Sequence, residues 1–76
     1  MRKDKREKFI NLIYNDHKND VEGLTTLIGD AEEAITKMIF LRDSYGVVSE
    51  EAIMHTKARF EAMVKAWLLI KRELDK

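Results

Sequence analysis

Residues 44–51, Ser44-Tyr45-Gly46-Val47-Val48-Ser49-Glu50-Glu51, read as a helix stop, a turn and a helix start. Gly46 lacks the Cβ that penalises positive φ, so it can supply the left-handed residue that ends a helix. Ser49 suits the N-cap, where a hydroxyl accepts from a free backbone N–H of the first turn. Glu50 and Glu51 fall at the positive end of the helix dipole. Val48 and Ile53 occupy the staple positions on either side of the cap. So short a connection makes the two flanking helices antiparallel neighbours.

On each side of this turn the apolar residues recur every three or four positions. Before it the series is Ile10, Tyr14, His17, Val21, Leu24, Ile28, Ala31, Ile35 and Met38. After it the series is Ile53, Thr56, Phe60, Met63, Trp67, Ile70 and Leu74. Such spacing keeps one stripe of an α-helix facing a partner, so the expected fold class is all-α. If the chain reverses near Val47, residues 38–41 face roughly 53–56, and residues 67–70 face roughly 24–27. Phe9 to Tyr14 then have no opposite number, because the last helix ends first. That first apolar segment either folds back, giving an antiparallel hairpin with an N-terminal helix in a three-helix bundle, or packs on another molecule in an intertwined helical oligomer.

One helical domain over 1–76 is expected, with helices near 4–18, 20–45 and 50–74. Where the long first stripe breaks has three readings. Asn19 with Glu22 three residues on resembles a capping box, placing a break near 18–20. Gly29 followed by Asp30 and Glu33 resembles a stop and a new cap, placing it near 29–30. One long kinked helix is the third, since the stripe crosses both sites without losing phase.

The 76 residues include no cysteine and no proline, which leaves no disulfide and no thiolate metal site. Cysteine-free composition fits a cytoplasmic protein. At 45% apolar and 37% charged, the chain is too hydrophobic for a disordered tail. The longest runs of large apolar residues, Met38 to Leu41 and Trp67 to Ile70, are four residues long. A membrane span needs roughly 20, so no membrane partner is expected. The basic start, Arg2 to Lys8, is followed by no hydrophobic region long enough for a secretory signal. Fourteen basic and fourteen acidic residues give zero formal charge, which disfavours nucleic acid as a partner. The charge is unevenly spread: residues 2–8 carry five basic and two acidic side chains, whereas residues 16–33 carry six acidic ones and Lys18. The two regions are complementary within one chain or between copies.

No motif carries a chemistry. Glu51 and His55 lie four apart on one helix face, but two ligands at that spacing make neither a di-iron nor a zinc-peptidase pattern, and a solvated surface pair is preferred. His17 interrupts the apolar stripe beside Asp16 and Asp20, as a polar insert that sets register or, less favoured, a pH-responsive contact. Glu32, Glu33 and Asp43 begin an acidic pattern like that of all-α nucleotide hydrolases, but Ile35, Thr36, Ile39 and Phe40 stand where further carboxylates would be needed. Arg42 and Arg59, with Tyr14, are the candidates for gripping an anionic ligand. Leu24 to Met38 could be cut as a helix-turn-helix at Gly29, but its reading helix would open on Ala31-Glu32-Glu33 and repel phosphates. No cofactor, metal site or catalytic residue is expected.

What remains is surplus hydrophobicity. Met38-Ile39-Phe40-Leu41 and Trp67-Leu68-Leu69-Ile70 are apolar on every side of their helices. Met54, Ala58, Ala62 and Leu69 add a second face to the last helix. Large uncovered apolar surface marks a partner, unless the first helix covers it. The expected function is that of a small non-enzymatic protein-binding regulator, an adaptor or inhibitor acting as a homo-oligomer, a dimer in the first instance. Chains of this size and composition are associated with bacteria and phages. Ile39, Phe40, Leu41, Trp67, Leu68 and Leu69 are the interface candidates. A nucleic-acid module and a nucleotide- or small-ligand-binding helical protein are the alternatives.

Overall fold

The computed structural model describes residues 2–75, which form three helices: α1 (Lys3–His17), α2 (Val21–Tyr45) and α3 (Glu50–Leu74). They make a three-helix bundle in which α3 is the central member. Both α1 and α2 pack along α3, while α1 scarcely touches α2.

The turn at Gly46 forms from the groups that its sequence supplies. Gly46 takes φ 66° and ψ 20°, and its N–H donates 3.0 Å to the Arg42 carbonyl. The Ser49 hydroxyl accepts from the Ala52 N–H at 3.1 Å. Ile53 is buried and Val48 half-buried. Across the turn the Arg42 guanidinium pairs with the Glu50 carboxylate, and its Nε donates 2.9 Å to Asp43. The bond to Asp43, with the charge of Glu50, holds the guanidinium above its ordinary pKa.

The first stripe breaks once, at Lys18-Asn19-Asp20. The N-cap there is Asp20 and not Asn19: the Asp20 carboxylate accepts from the Gly23 N–H at 3.1 Å. A Cβ at position 23 would collide with that carboxylate, so glycine suits the close approach. Gly29 and Asp30 lie inside an unbroken α2. An interior glycine costs about 1 kcal/mol. Ending the helix there would forfeit the burial of Ile28, Ala31 and Ile35 along one continuous face, so packing overrides the local stop signal.

The stripes are the inner faces of the bundle. Every residue of both is buried or half-buried except Leu74, the last residue of α3, which is 61% exposed. The α2–α3 register is fixed by Trp67, whose Nε1–H donates 3.0 Å to Thr25 Oγ1. Thr25 in turn donates 2.9 Å to the Val21 carbonyl. This is the expected pairing of residues 67–70 with 24–27.

The N-terminal segment folds back rather than standing away. Ile10 and Ile13 of α1 meet Leu24, Ala62, Ala66 and Ile70 in the main buried cluster. The Arg59 guanidinium lies 5.7 Å from the centroid of the Phe9 ring. Ala62 and Ala66 are completely buried, and their small side chains let the α1 backbone come close to α3. The second face of α3 is therefore Ala62-Ala66-Ile70. Of the expected members Met54, Ala58, Ala62 and Leu69, only Ala62 is buried, while Met54 and Leu69 are exposed. Ile53 is buried near the turn but stands outside the main cluster, so the core is concentrated at the end of the bundle away from Gly46.

Candidate protein-binding surface

The two apolar tetrapeptides lie at opposite ends of the hairpin. Trp67 is level with Thr25, and Phe40 is fifteen residues further along α2. At 1.5 Å per residue that is about 22 Å. The six candidate residues therefore do not form one patch. Trp67 is half-buried against the core, bonded to Thr25, and has the Lys71 ammonium 5.8 Å from its ring centroid. Ile39 is half-buried, while Phe40, Leu41, Leu68 and Leu69 are exposed.

Around Gly46 the exposed apolar groups gather. Phe40 and Tyr45 meet edge to face, their centroids 6.2 Å apart. Phe40 is 59% exposed, Tyr45 69% and Val47 71%. Edge-to-face contact holds two large rings in a defined geometry without hiding them from solvent. Tyr45 and Val47 lie outside the two inner stripes and flank the glycine of the turn. The signal for them was the composition of the turn, which places two large apolar side chains where polar ones are usual.

A second, unpartnered stripe runs along α2. Leu27, Ala31, Ala34, Met38, Leu41 and Tyr45 are spaced by four, three, four, three and four residues. Ala31 and Met38 belong to both stripes and are half-buried. Leu27 is 43% exposed and Leu41 37%, and Ala34 is also exposed. Because α1 packs on α3, it leaves this flank of α2 open.

Two open grooves complete the surface. One of about 470 Å³ lies between α2 and α3, lined by Glu32, Ile35, Thr36, Lys57, Phe60 and Glu61. Another of about 290 Å³ lies between α1 and α3, lined by Ile10, Lys65, Leu68, Leu69 and Arg72. The first carries the Glu32 and Glu61 carboxylates, the Lys57 ammonium and the Thr36 hydroxyl, which donates 3.1 Å to the Glu32 carbonyl. Glu51 and His55 flank a shallow depression with Met54 and Ala58. Among the described residues no group of three or more His, Asp or Glu is placed to hold a metal ion.

The remaining candidates are dispersed. Arg42 is engaged by Glu50 and Asp43 at the turn, Arg59 lies over Phe9, and Tyr14 packs against the core at the other end. Glu33 pairs with Lys37 at 3.7 Å on the surface of α2. His17 is half-buried at the end of α1, its Nδ1 buried without a hydrogen-bond partner. A helix-turn-helix over Leu24 to Met38 is ruled out, since α2 has no turn there. Among the described residues no helix is long and apolar enough to cross a membrane. Comparison with protein-family models, curated proteins and solved structures finds no match.

Proposed function

We propose that this chain is a non-enzymatic, protein-binding helical regulator that acts as a homo-oligomer and engages its partners through apolar side chains. The observation that carries this reading is the group at the Gly46 end, where Phe40, Tyr45 and Val47 are more than half exposed around one turn. Aromatic anchors on a rigid support supply most of the binding energy in protein interfaces. The Arg42–Glu50 pair and the Ser49 cap hold that support in place. Neither nucleic acid nor a small ligand has a comparable observation in its favour. The net charge is zero, and the two candidate anion-binding arginines are already engaged.

Affinity capture with the immobilised chain tests the reading, using Phe40→Glu and Val47→Glu as controls. Both positions are exposed, so the variants should keep wild-type helical content by circular dichroism. The reading expects a specific protein to be retained by the wild type and lost from both variants. Identical retention by all three would overturn it.

A further inference from the structure

The groove between α1 and α3 is lined by aliphatic and cationic side chains alone. Ile10, Leu68 and Leu69 form its apolar part, and Lys65 and Arg72 stand on either side of the two leucines along α3. Leu68 is 50% exposed and Leu69 41%, so both have surface left to bury. The four α3 residues follow one another at spacings of three, one and three, which keeps them on one face over two turns. Lys65 and Arg72 are therefore anchored about 10 Å apart. Among the described residues neither forms an ion pair. Glu61, one turn before Lys65, lines the other groove.

The surrounding charge has the same sign. The acidic helix is α2, with five acidic and two basic side chains, and none of its residues lines this groove. Along α1, which borders it, residues 2–17 carry five basic side chains against three acidic ones. An apolar strip with a free cation at each end is complementary to an apolar strip with an anion at each end.

We infer that this groove receives an acidic amphipathic helix of a partner protein. Its apolar face lies on Leu68 and Leu69, and two carboxylates about seven residues apart meet Lys65 and Arg72. The inference rests on reading the chain as a protein-binding module, and it adds a second surface at the end of α3 away from Gly46. The separation of the cations favours a helix over a lone anionic head group. One head group neutralises one of two charges anchored two turns apart, whereas a helix presents carboxylates at that interval. The groove also follows the α3 axis, as the seat of a helix laid between two others must.

Fluorescence anisotropy tests it with the full chain and two labelled model peptides of about 15 residues, long enough to form a helix. Both carry leucines along one face. One borders them with glutamates two turns apart, the other with lysines. At low salt the glutamate peptide should bind about tenfold more tightly or better, and the gap should narrow as salt rises. Lys65→Glu combined with Arg72→Glu should reverse the preference, which a general loss of structure cannot do. Leu68→Ser should weaken both peptides. All three positions are exposed, so the fold should persist, and circular dichroism checks that it does. Phe40→Glu should leave the glutamate peptide bound as before. No binding of that peptide at about 1 mM, equal binding of the two peptides, or a preference unchanged in the double variant would overturn the proposal. So would binding to vesicles of phosphatidylserine and phosphatidylcholine without binding to the peptide, which would make the occupant a membrane surface. None of these results bears on Phe40-dependent capture, so the two proposals fail separately.

Discussion

Trp67 and Thr25, 42 positions apart, are joined by a 3.0 Å hydrogen bond from the indole N–H to the threonine hydroxyl. Near this end of the bundle α3 and α2 are held by a directed contact as well as by burial. The same hydroxyl donates to the Val21 carbonyl at 2.9 Å, so both of its roles are used within the chain.

Trp67→Phe keeps most of the apolar contact and loses the bond. A hydrogen bond of this kind contributes about 0.5–1.5 kcal/mol. For a domain of this size that lowers Tm by several degrees, roughly 4–8 °C per kcal/mol. Thr25→Val should act similarly, and the double variant should cost less than the two singles combined, because the bond is lost only once. Thermal melts of the four proteins measure the coupling.

The three glycines should answer alanine differently. At Gly29 nothing lies within 4 Å of an added Cβ and the site is inside α2, so Gly29→Ala should stabilise by about 1 kcal/mol. At Gly46 the φ of 66° is left-handed, so Gly46→Ala should destabilise by about 1–2 kcal/mol. Gly23→Ala should gain less than Gly29→Ala, because its Cβ displaces the Asp20 carboxylate from the cap. Urea titrations rank the three.

Overfilling the α1–α3 seam should loosen α1. Ala62 and Ala66 are completely buried, so Ala66→Leu should cost about 1–3 kcal/mol. Amide exchange should speed up first in α1, which has α3 as its main support.

The Arg42 pair should show no pH dependence near neutrality. Its guanidinium pKa is raised by Asp43 and Glu50. A raised pKa gives stability that is fully present below the ordinary guanidinium value and is lost only as pH rises through the higher folded one. The stability difference between wild type and Arg42→Gln should therefore stay small and constant from about pH 6 to 9, and shrink with added salt. Melts at several pH values check this.

The turn and the two stripes were legible because they rest on local chemistry: a glycine, a cap and the period of the helix. The first stripe keeps its phase across the Lys18–Asp20 break because both of its halves face the same helix, α3. Ala62 was picked out as part of a second face, but Ala66 was harder to place, since alanine is equally at home inside and outside, and the arrival of α1 buries both. The open stripe of α2 was hidden because it shares Ala31 and Met38 with the inner one. Val47 belongs to no periodic pattern and Tyr45 only to that open stripe, so only the folded turn shows how exposed they are. The separation of the two tetrapeptides follows from the same register count that placed Trp67 beside Thr25.

Light scattering on the purified chain, with Leu41→Glu beside the wild type, is the most direct test that the chain self-associates through its exposed apolar side chains, Leu41 among them. The mass of the wild type should rise with concentration from 8.9 kDa towards twice that, while the folded variant stays at 8.9 kDa. A wild type that stays at 8.9 kDa at every concentration, or a variant that associates equally well, would contradict it.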